Sequence, residues 1–400
     1  MNILKKVYCR TQQSIFHLAI PVLPYRNPKQ IGSVRDLPET LLKEHVGRVL
    51  IITDAQIQKL GLLDSLTESL EASGVAYTVY DKTVANPTSA NVEEARRLYQ
   101  DFRCQGLIGF GGGSSMDCAK AVGARLVKPN QTLARMEGIL RVHKKLPLLV
   151  AIPTTAGTGS ETTVAAVITD SDTHHKYAIT DFFLIPDYAV LDPELTRSLP
   201  PFLTACTAMD ALTHAVEAYI GRSTTRESRN EATIAVRLIF NNLDRAFEDG
   251  NDMIARKNLL DASNLAGSAF SKSYVGYVHA VAHSLSGKYN LPHGYTNAVL
   301  LPHVLEYYGK TVHKKLHALA IAAGVAERSD SHSQAAVAFI RAIREMNARY
   351  GIPDHIKEIN PKDIPILAKT ADREANPLYP VPVLLNAREL EGIYETVRED

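Results

Sequence analysis

Cysteine is scarce in this chain. Cys9, Cys104, Cys118 and Cys206 are widely spaced and form no CxxC pair. That argues against a disulfide framework, and a reducing compartment with free thiols is the simplest reading. Long apolar runs are missing too. No stretch reaches the ~18 residues that a spanning helix needs. Neither sign of charge is in excess, with 44 Lys plus Arg against 43 Asp plus Glu. The balance gives no electrostatic reason to expect nucleic acid or an anionic membrane as partner. The first residues hold Lys5, Lys6 and then SIFHLAIPVLP, where His17 and Pro21 interrupt the apolar run and no small-residue cleavage site follows. This is a poor secretory signal. We expect a cytoplasmic protein whose residues 1–30 form an arm or first strand packing on the body. Internal repeats and low-complexity segments are absent from the sequence.

What is there is an ordinary globular composition, 45% hydrophobic and 22% charged, in a chain of 400 residues. That length exceeds a single core and predicts two domains. From about 47 to 152, short β-branched runs alternate with helical patterns. RVLIITD (48–54), VAYTVYD (75–81), GLIGF (106–110) and LPLLVAI (146–152) read as strands. The segments 62–74, 91–102 and 115–127 read as helices between them. Such alternation predicts a Rossmann-like parallel sheet. Between 164 and 192 the runs VAAVITD, HKYAIT and DYAVLD lie too close together for crossover helices, so an antiparallel excursion is expected there. Beyond about 200, strand signals nearly vanish. Helices are predicted at 204–221, 226–248, 252–270, 275–287, 312–323, 332–349 and 387–397, with Ser333 as a candidate cap. The expected division is an α/β domain at 1–197 and an all-α domain at 198–400.

Metal-ligand residue types concentrate in the second half. Asp210 and His214 stand four apart in MDALTHAVEAY, and His279 and His283 four apart in GYVHAVAHSLSG. A four-residue step places two side chains on one helix face. His293 follows in YNLPHGYTNAV. Singly, each histidine could be a satisfied core or surface residue. Together, on Ala/Val-rich helices, a carboxylate and several imidazoles need a common partner, and a cation supplies one. The cysteine-free donor set suits Fe(II), Zn(II), Mn(II) or Co(II).

The first half carries polar loops after strands. In GFGGGSSMDCAKA (109–121), Gly111, Gly112 and Gly113 lack side chains, so their amides can approach a pyrophosphate, and Ser114 can cap the following helix. The spacing is not G-x-G-x-x-G, and a plain tight turn is the competing reading. PTTAGTGSETT (153–163) and NPTSAN (86–91) are further small, polar loops that should open at the same carboxyl edge. Asp54 ends the first predicted strand there. It suits the ribose hydroxyls of NAD and repels a 2′-phosphate, or it simply caps the next helix.

Taken together, GGGSSMDCAKA, PTTAGTGSE, DPEL, MDALTHAVEAY, VHAVAHSLSGKYNLPHG and NAVLLPHV resemble the iron-containing, or group III, alcohol dehydrogenases. The resemblance covers roughly residues 46 to 395. It implies a nucleotide-binding α/β domain, a helical metal domain and an active site in the cleft between them. By position, it implies Asp210, His214, His279 and His293 as metal ligands and His283 as a nearby non-ligand. Gly111, Gly112, Gly113, Ser114 and Asp117 would form the pyrophosphate loop, with Thr154, Thr155 and Ser160 as further cofactor contacts. Asn86 and Lys176 fall where members approach the cofactor, and Asp54 where NAD-using members carry Asp. Residues 1–30 are longer and less family-like, so nothing is transferred onto them. The expected activity is hydride transfer between a primary alcohol or aldehyde and NAD(H), with Fe(2+) or Zn(2+) at the site. His283 would relay the proton or orient a ligand. We expect a homodimer or higher homo-oligomer. The alternatives of the same architecture are a dehydroquinate-synthase-like lyase and a glycerol-dehydrogenase-like enzyme.

Overall fold

A computed structural model of the chain describes residues Met1–Glu399. They divide into two compact units. Pro24–Ser198 form one, while Met1–Leu23 and the chain from Leu199 onward form the other. The chain opens with helix α1 (Ile3–Ala19), capped by Asn2, whose side chain accepts from Lys5 N. This helix belongs to the second unit. It is neither a strand nor part of the α/β unit, so the expected placement of the N-terminal arm is corrected.

The α/β unit is built on a six-stranded sheet ordered β1-β9-β6-β4-β2-β3, parallel throughout. Its strands are β1 (Lys29–Ile31), β2 (Arg48–Ile52), β3 (Ala76–Tyr80), β4 (Gly106–Gly111), β6 (Leu148–Pro153) and β9 (Tyr188–Val190). Successive side chains on a strand point to opposite faces, and both faces of a parallel sheet are covered. Leu50 and Ile52 accordingly pack with α5 (Ser89–Asp101) and α6 (Gly113–Val127). Val49 and Ile51 pack on the other face with Leu37 and Leu41 of α2 (Leu37–Lys43) and Leu66 and Leu70 of α4 (Asp64–Ala72). A short α3 (Ala55–Lys59) follows β2.

A second sheet of three strands, ordered β5-β8-β7, holds β5 (Gly138–Ile139), β7 (Ala165–Thr169) and β8 (Lys176–Thr180). Only the pair β7–β8 is antiparallel. DYAVLD supplies β9, which joins the main sheet between β6 and β1, so the expected excursion is two strands and not three.

The helical unit adds α7 (Pro201–Ile220), α8 (Arg226–Glu248), α9 (Met253–Ser273), α10 (Tyr277–Tyr289), α11 (His293–Tyr308), α12 (His313–Ala322), α13 (His332–Arg349), α14 (Ile364–Ala375) and α15 (Ala387–Val397). Helices α7, α8 and α9 pack on one another, and α11 packs on α7 and α10. Ser331, not Ser333, caps α13, in a capping box with Gln334. The sequence pattern does not predict helices α11 and α14. Pro302 sits inside the first, and a proline near the start opens the second.

Candidate metal centre and carboxyl-edge loops

Helix α7 starts at Pro201, a residue whose fixed φ suits a first helical turn. Asp210, His214 and Glu217 then fall at steps of four and three along its buried side. Helix α10 brings His279 and His283, and α11 opens on His293 itself. Asp210, His279 and His293 each offer a ligand atom, all within 4.8 Å of one another. Asp210 Oδ1 is 3.8 Å from His279 Nε2 and 3.6 Å from His293 Nε2. The His214 ring stacks on the His279 ring with centroids 4.4 Å apart. The His283 and His293 rings stack at 5.0 Å. All five sequence-selected residues are thus neighbours.

Two residues that the sequence reading passed over organise this cluster. The Glu217 carboxylate accepts from the backbone N–H of Gly276 and of Val278, each at 2.8 Å, and bonds His279 Nδ1 at 2.7 Å. It therefore caps the start of α10, whose first amides have no intrahelical acceptor. Gly276 is required for this contact, because a Cβ there would lie 2.6 Å from Glu217 Oε1. With Nδ1 on a carboxylate, His279 presents Nε2 to Asp210 and His293. That nitrogen is buried and has no hydrogen-bond partner. Burial, reinforced by the neighbouring His214, His293 and His283, holds this imidazole well below its ordinary pKa. It is therefore neutral, the form that ligates metals. Burial, working against the pull of three donors, raises the Glu217 carboxyl to about 8. Asn297 is the second addition. Its Nδ2 donates to Asp210 Oδ1 at 2.6 Å and contacts His293 Nε2 at 3.1 Å.

Gly294 explains the PHG element. A Cβ there would lie 2.4 Å from Cys206 O and 3.4 Å from Asp210 Cβ, so α11 comes this close to α7 only with glycine. His283 turns Nδ1 to Glu374 Oε1 at 2.6 Å, and Tyr379 donates to the same oxygen at 2.8 Å. Burial raises the Glu374 pKa, but the His283 charge and both hydrogen bonds bring it below the ordinary value. An imidazole and carboxylate cluster of this composition, with Asp210, His214 and His279 buried, fits a divalent cation of borderline softness.

In the α/β unit, the chain leaves β2 for β3 on one side and returns to β4 on the other. The order in which strands are added thus reverses between β2 and β4, where such folds bind ligands at the carboxyl edge. The loops there come from Asp54, Asn86, Gly111 to Ser114, and Thr154 with Thr155. Asp54 caps α3 through Oδ1, accepting from Gln56 N and Ile57 N at 2.9 and 3.0 Å. Its Oδ2 lies 3.6 Å from where a Gly111 Cβ would stand. Gly111 has φ +143°, and its Cβ would meet Ser115 Oγ at 2.7 Å, so no other residue fits. Gly112, not Ser114, is the N-cap of α6, and no side chain closes that end. Ser114 Oγ instead accepts from Asn86 N at 3.3 Å, and Asn86 Oδ1 accepts from Lys176 Nζ at 2.7 Å. The open amides of α6 fit a phosphate group. Thr154 N donates to Gly111 O.

Asp117 and Ser160 serve the interior. Asp117 accepts from Ser160 Oγ at 2.7 Å and from Val167 N at 2.9 Å. Buried Lys120 donates to Ser160 Oγ, Thr163 Oγ1 and Ala165 O. This network ties α6 to β7 and shapes the loop from inside.

Comparison with known proteins accords with both halves. Residues 29–193 match the model described as "Iron-containing alcohol dehydrogenase". Residues 204–397 match "Fe-containing alcohol dehydrogenase family, C-terminal". The 1,3-propanediol dehydrogenase of Citrobacter freundii is 36% identical over 366 residues, covering 90% of this chain and 94% of that protein. A crystal structure of a 1,3-propanediol oxidoreductase superposes with a TM-score of 0.90 at 33% identity, covering 93% and 99% of the two chains. The sulfoacetaldehyde reductase of Bifidobacterium kashiwanohense, solved with NAD+, superposes at 0.83 with 25% identity, covering 93% and 98%. The chain belongs to the iron-containing alcohol dehydrogenase family.

Proposed function

We propose that the chain is a metal-dependent dehydrogenase that moves hydride between a small primary alcohol or its aldehyde and NAD(H). The observation that carries the reading is the His279 imidazole, fixed on Glu217 at Nδ1 and offering a buried, unpartnered Nε2 beside Asp210 and His293. Asp210, His214, His279 and His293 would hold Fe(2+), with Zn(2+) competing wherever supply allows. When bound, the metal supplies Lewis acidity at the substrate oxygen, and NAD supplies the hydride acceptor.

The chain's own residues do the rest. Glu217 fixes the tautomer and ring plane of His279, as carboxylates do for ligating histidines. Asn297 holds Asp210 and His293 in register. His283, anchored on Glu374 through Nδ1, keeps Nε2 available to take or return a proton. Gly111, Gly112, Gly113 and Ser114 would receive the pyrophosphate on open amides, and Thr154, whose own amide is bonded to Gly111 O, would approach it with Thr155 through the hydroxyls. Asp54, with one oxygen committed to its cap, would use the other for ribose. Asn86 and Lys176 would flank the nucleotide, while Asp117 and Ser160 support the loop from beneath.

The test is an anaerobic panel of short primary alcohols, diols and aldehydes with NAD(H) on Fe-, Zn- and Mn-reconstituted protein. The similarity to a 1,3-propanediol dehydrogenase makes 1,3-propanediol the first diol to try. NADH should accumulate with turnover. A dehydroquinate-synthase-like lyase, which uses NAD transiently, would accumulate none, and that result across the panel would overturn the proposal.

A further inference from the structure

Helix α1 is apolar on two opposite sides. At ~100° per residue, Cys9, Gln13, Phe16 and Ile20 fall on one arc. That arc faces the protein: Cys9, Gln13 and Ile20 are buried. Its fastening is specific. Gln13 Nε2 donates to Tyr379 O at 2.7 Å, Arg10 donates to Val381 O and Pro382 O, and Lys5 pairs with Asp372 at 2.9 Å. The Phe16 ring meets Tyr274 edge-on at 4.8 Å.

The opposite arc carries Leu4, Val7, Tyr8, Ile15 and Leu18, with Ile3 and Val22 at its ends. These seven side chains are between 56% and 82% exposed. Thr11 and Ser14 fall within the same arc, but a stripe dominated by large apolar side chains along one helix face, unlike isolated exposed hydrophobics, marks an interaction surface. A groove of about 730 Å³ widens the stripe, lined by Val7, Ile15 and Leu18 together with Val383 and Leu384. The inner face is already occupied by the protein, so the stripe cannot be satisfied by a small rotation of the helix.

Charge selects the occupant. Lys5 borders the stripe on one side and Lys6, Arg10 and His17 on the other, and no Asp or Glu occurs before Asp36. Lys5 is already paired with Asp372, but two copies of this helix face to face would still bring Lys6 and Arg10 against their counterparts, with no carboxylate of the helix to offset them. An apolar stripe edged by basic residues and Gln12, with no acid, instead matches an anionic lipid surface. Aliphatic side chains enter the acyl boundary there, and lysines extend to the headgroups. The near-equal total charge of the chain conceals this, because the asymmetry is confined to its first 35 residues. No helix among the described residues is long and apolar enough to cross a membrane. We propose that α1 lies in the plane of an anionic bilayer surface, its outer stripe inserted and its inner face still bonded to the helical unit.

The test is flotation of the full-length, metal-loaded protein with vesicles of phosphatidylglycerol mixed with phosphatidylcholine, or of phosphatidylcholine alone. The protein should float with the anionic vesicles only, and less at high salt. Lys6→Ala should weaken binding by about fivefold, the effect of one cation near such a surface. Leu4→Glu/Leu18→Glu should abolish flotation while melting temperature and dehydrogenase turnover stay at wild-type values, because neither side chain touches the fold's interior or the metal cluster. Three results would overturn the proposal. One is no flotation with either vesicle, and another is equal flotation with both. The third is a wild-type oligomer that Leu4→Glu/Leu18→Glu converts to monomer without any lipid binding, which would make a second copy the occupant. The proposal does not depend on the catalytic reading, and inactive but floating protein would separate the two.

Discussion

Replacing Glu217 by glutamine is the sharpest perturbation of the metal cluster, since it preserves shape and removes one acceptor. The carboxylate takes His279 Nδ1 and Gly276 N on Oε2, and Val278 N on Oε1. An amide has only one oxygen for these three donors. If its NH2 replaces Oε1, the buried Val278 N–H loses its acceptor and opposes a donor, at a cost of about 1–3 kcal/mol. If the NH2 replaces Oε2, the Gly276 N–H is stranded and His279 must accept at Nδ1. Its proton then moves to Nε2, the nitrogen that would face the metal. The first orientation loosens the start of α10, which carries His279, and the second puts the proton on the ligating nitrogen, so metal affinity should fall about 10–100-fold, the usual effect of losing a ligand's orienting carboxylate. Chelator competition on anaerobically prepared protein measures that affinity without reference to turnover. A melting curve of the metal-free protein reports the capping contribution separately. Unchanged affinity with a lowered melting temperature would refute the orienting role and leave Glu217 as a brace for α10.

Other consequences are equally direct. Asp54→Gly should raise kcat/KM for NADP relative to NAD, with only a few tenths of a kcal/mol lost in helix capping; a wild type that already prefers NADP would contradict the reading. His283→Gln should lower turnover by about 10²–10⁴-fold with metal content near that of the wild type, and metal loss tracking the activity loss would make it a ligand. Gly294→Ala forces a Cβ to 2.4 Å from Cys206 O. It should therefore cost about 1–3 kcal/mol by denaturant titration, as overpacking does, and weaken metal binding by displacing His293.

The central strands were legible because a parallel sheet buries both faces, so each strand reads as a continuous apolar run. RVLII and GLIGFG are of this kind. Strand β1 is not: Lys29, Gln30 and Ile31 lie at the sheet edge and are not buried. For β9 the apolar run was visible, but chain proximity to β8 suggested the wrong partner. The short turn Phe182–Leu184 separates them and carries the chain back to the main sheet. Helix α11 was masked by Pro292, Gly294 and Pro302, each a breaker by local rules. Packing overrides them, since eleven residues of this helix are buried.

The site follows the same division. Asp210 with His214 and His279 with His283 were readable because each pair lies within one helix, where a four-residue step fixes the face. Their hydrogen-bond partners are set by tertiary packing. Glu374 lies 91 residues from His283, on a helix that itself went unrecognised, and left no local signal. Glu217 differs. It continues the face of Asp210 and His214 by one more turn, inside the apolar run MDALTHAVEAYI. A carboxylate buried among Ala, Val and Leu must find donors, and an imidazole presenting one nitrogen to a metal must place the other on an acceptor. These two requirements satisfy each other. A search for one buried acid per ligating histidine would have reached Glu217 from the sequence, where a search for ligand types alone stops at His214.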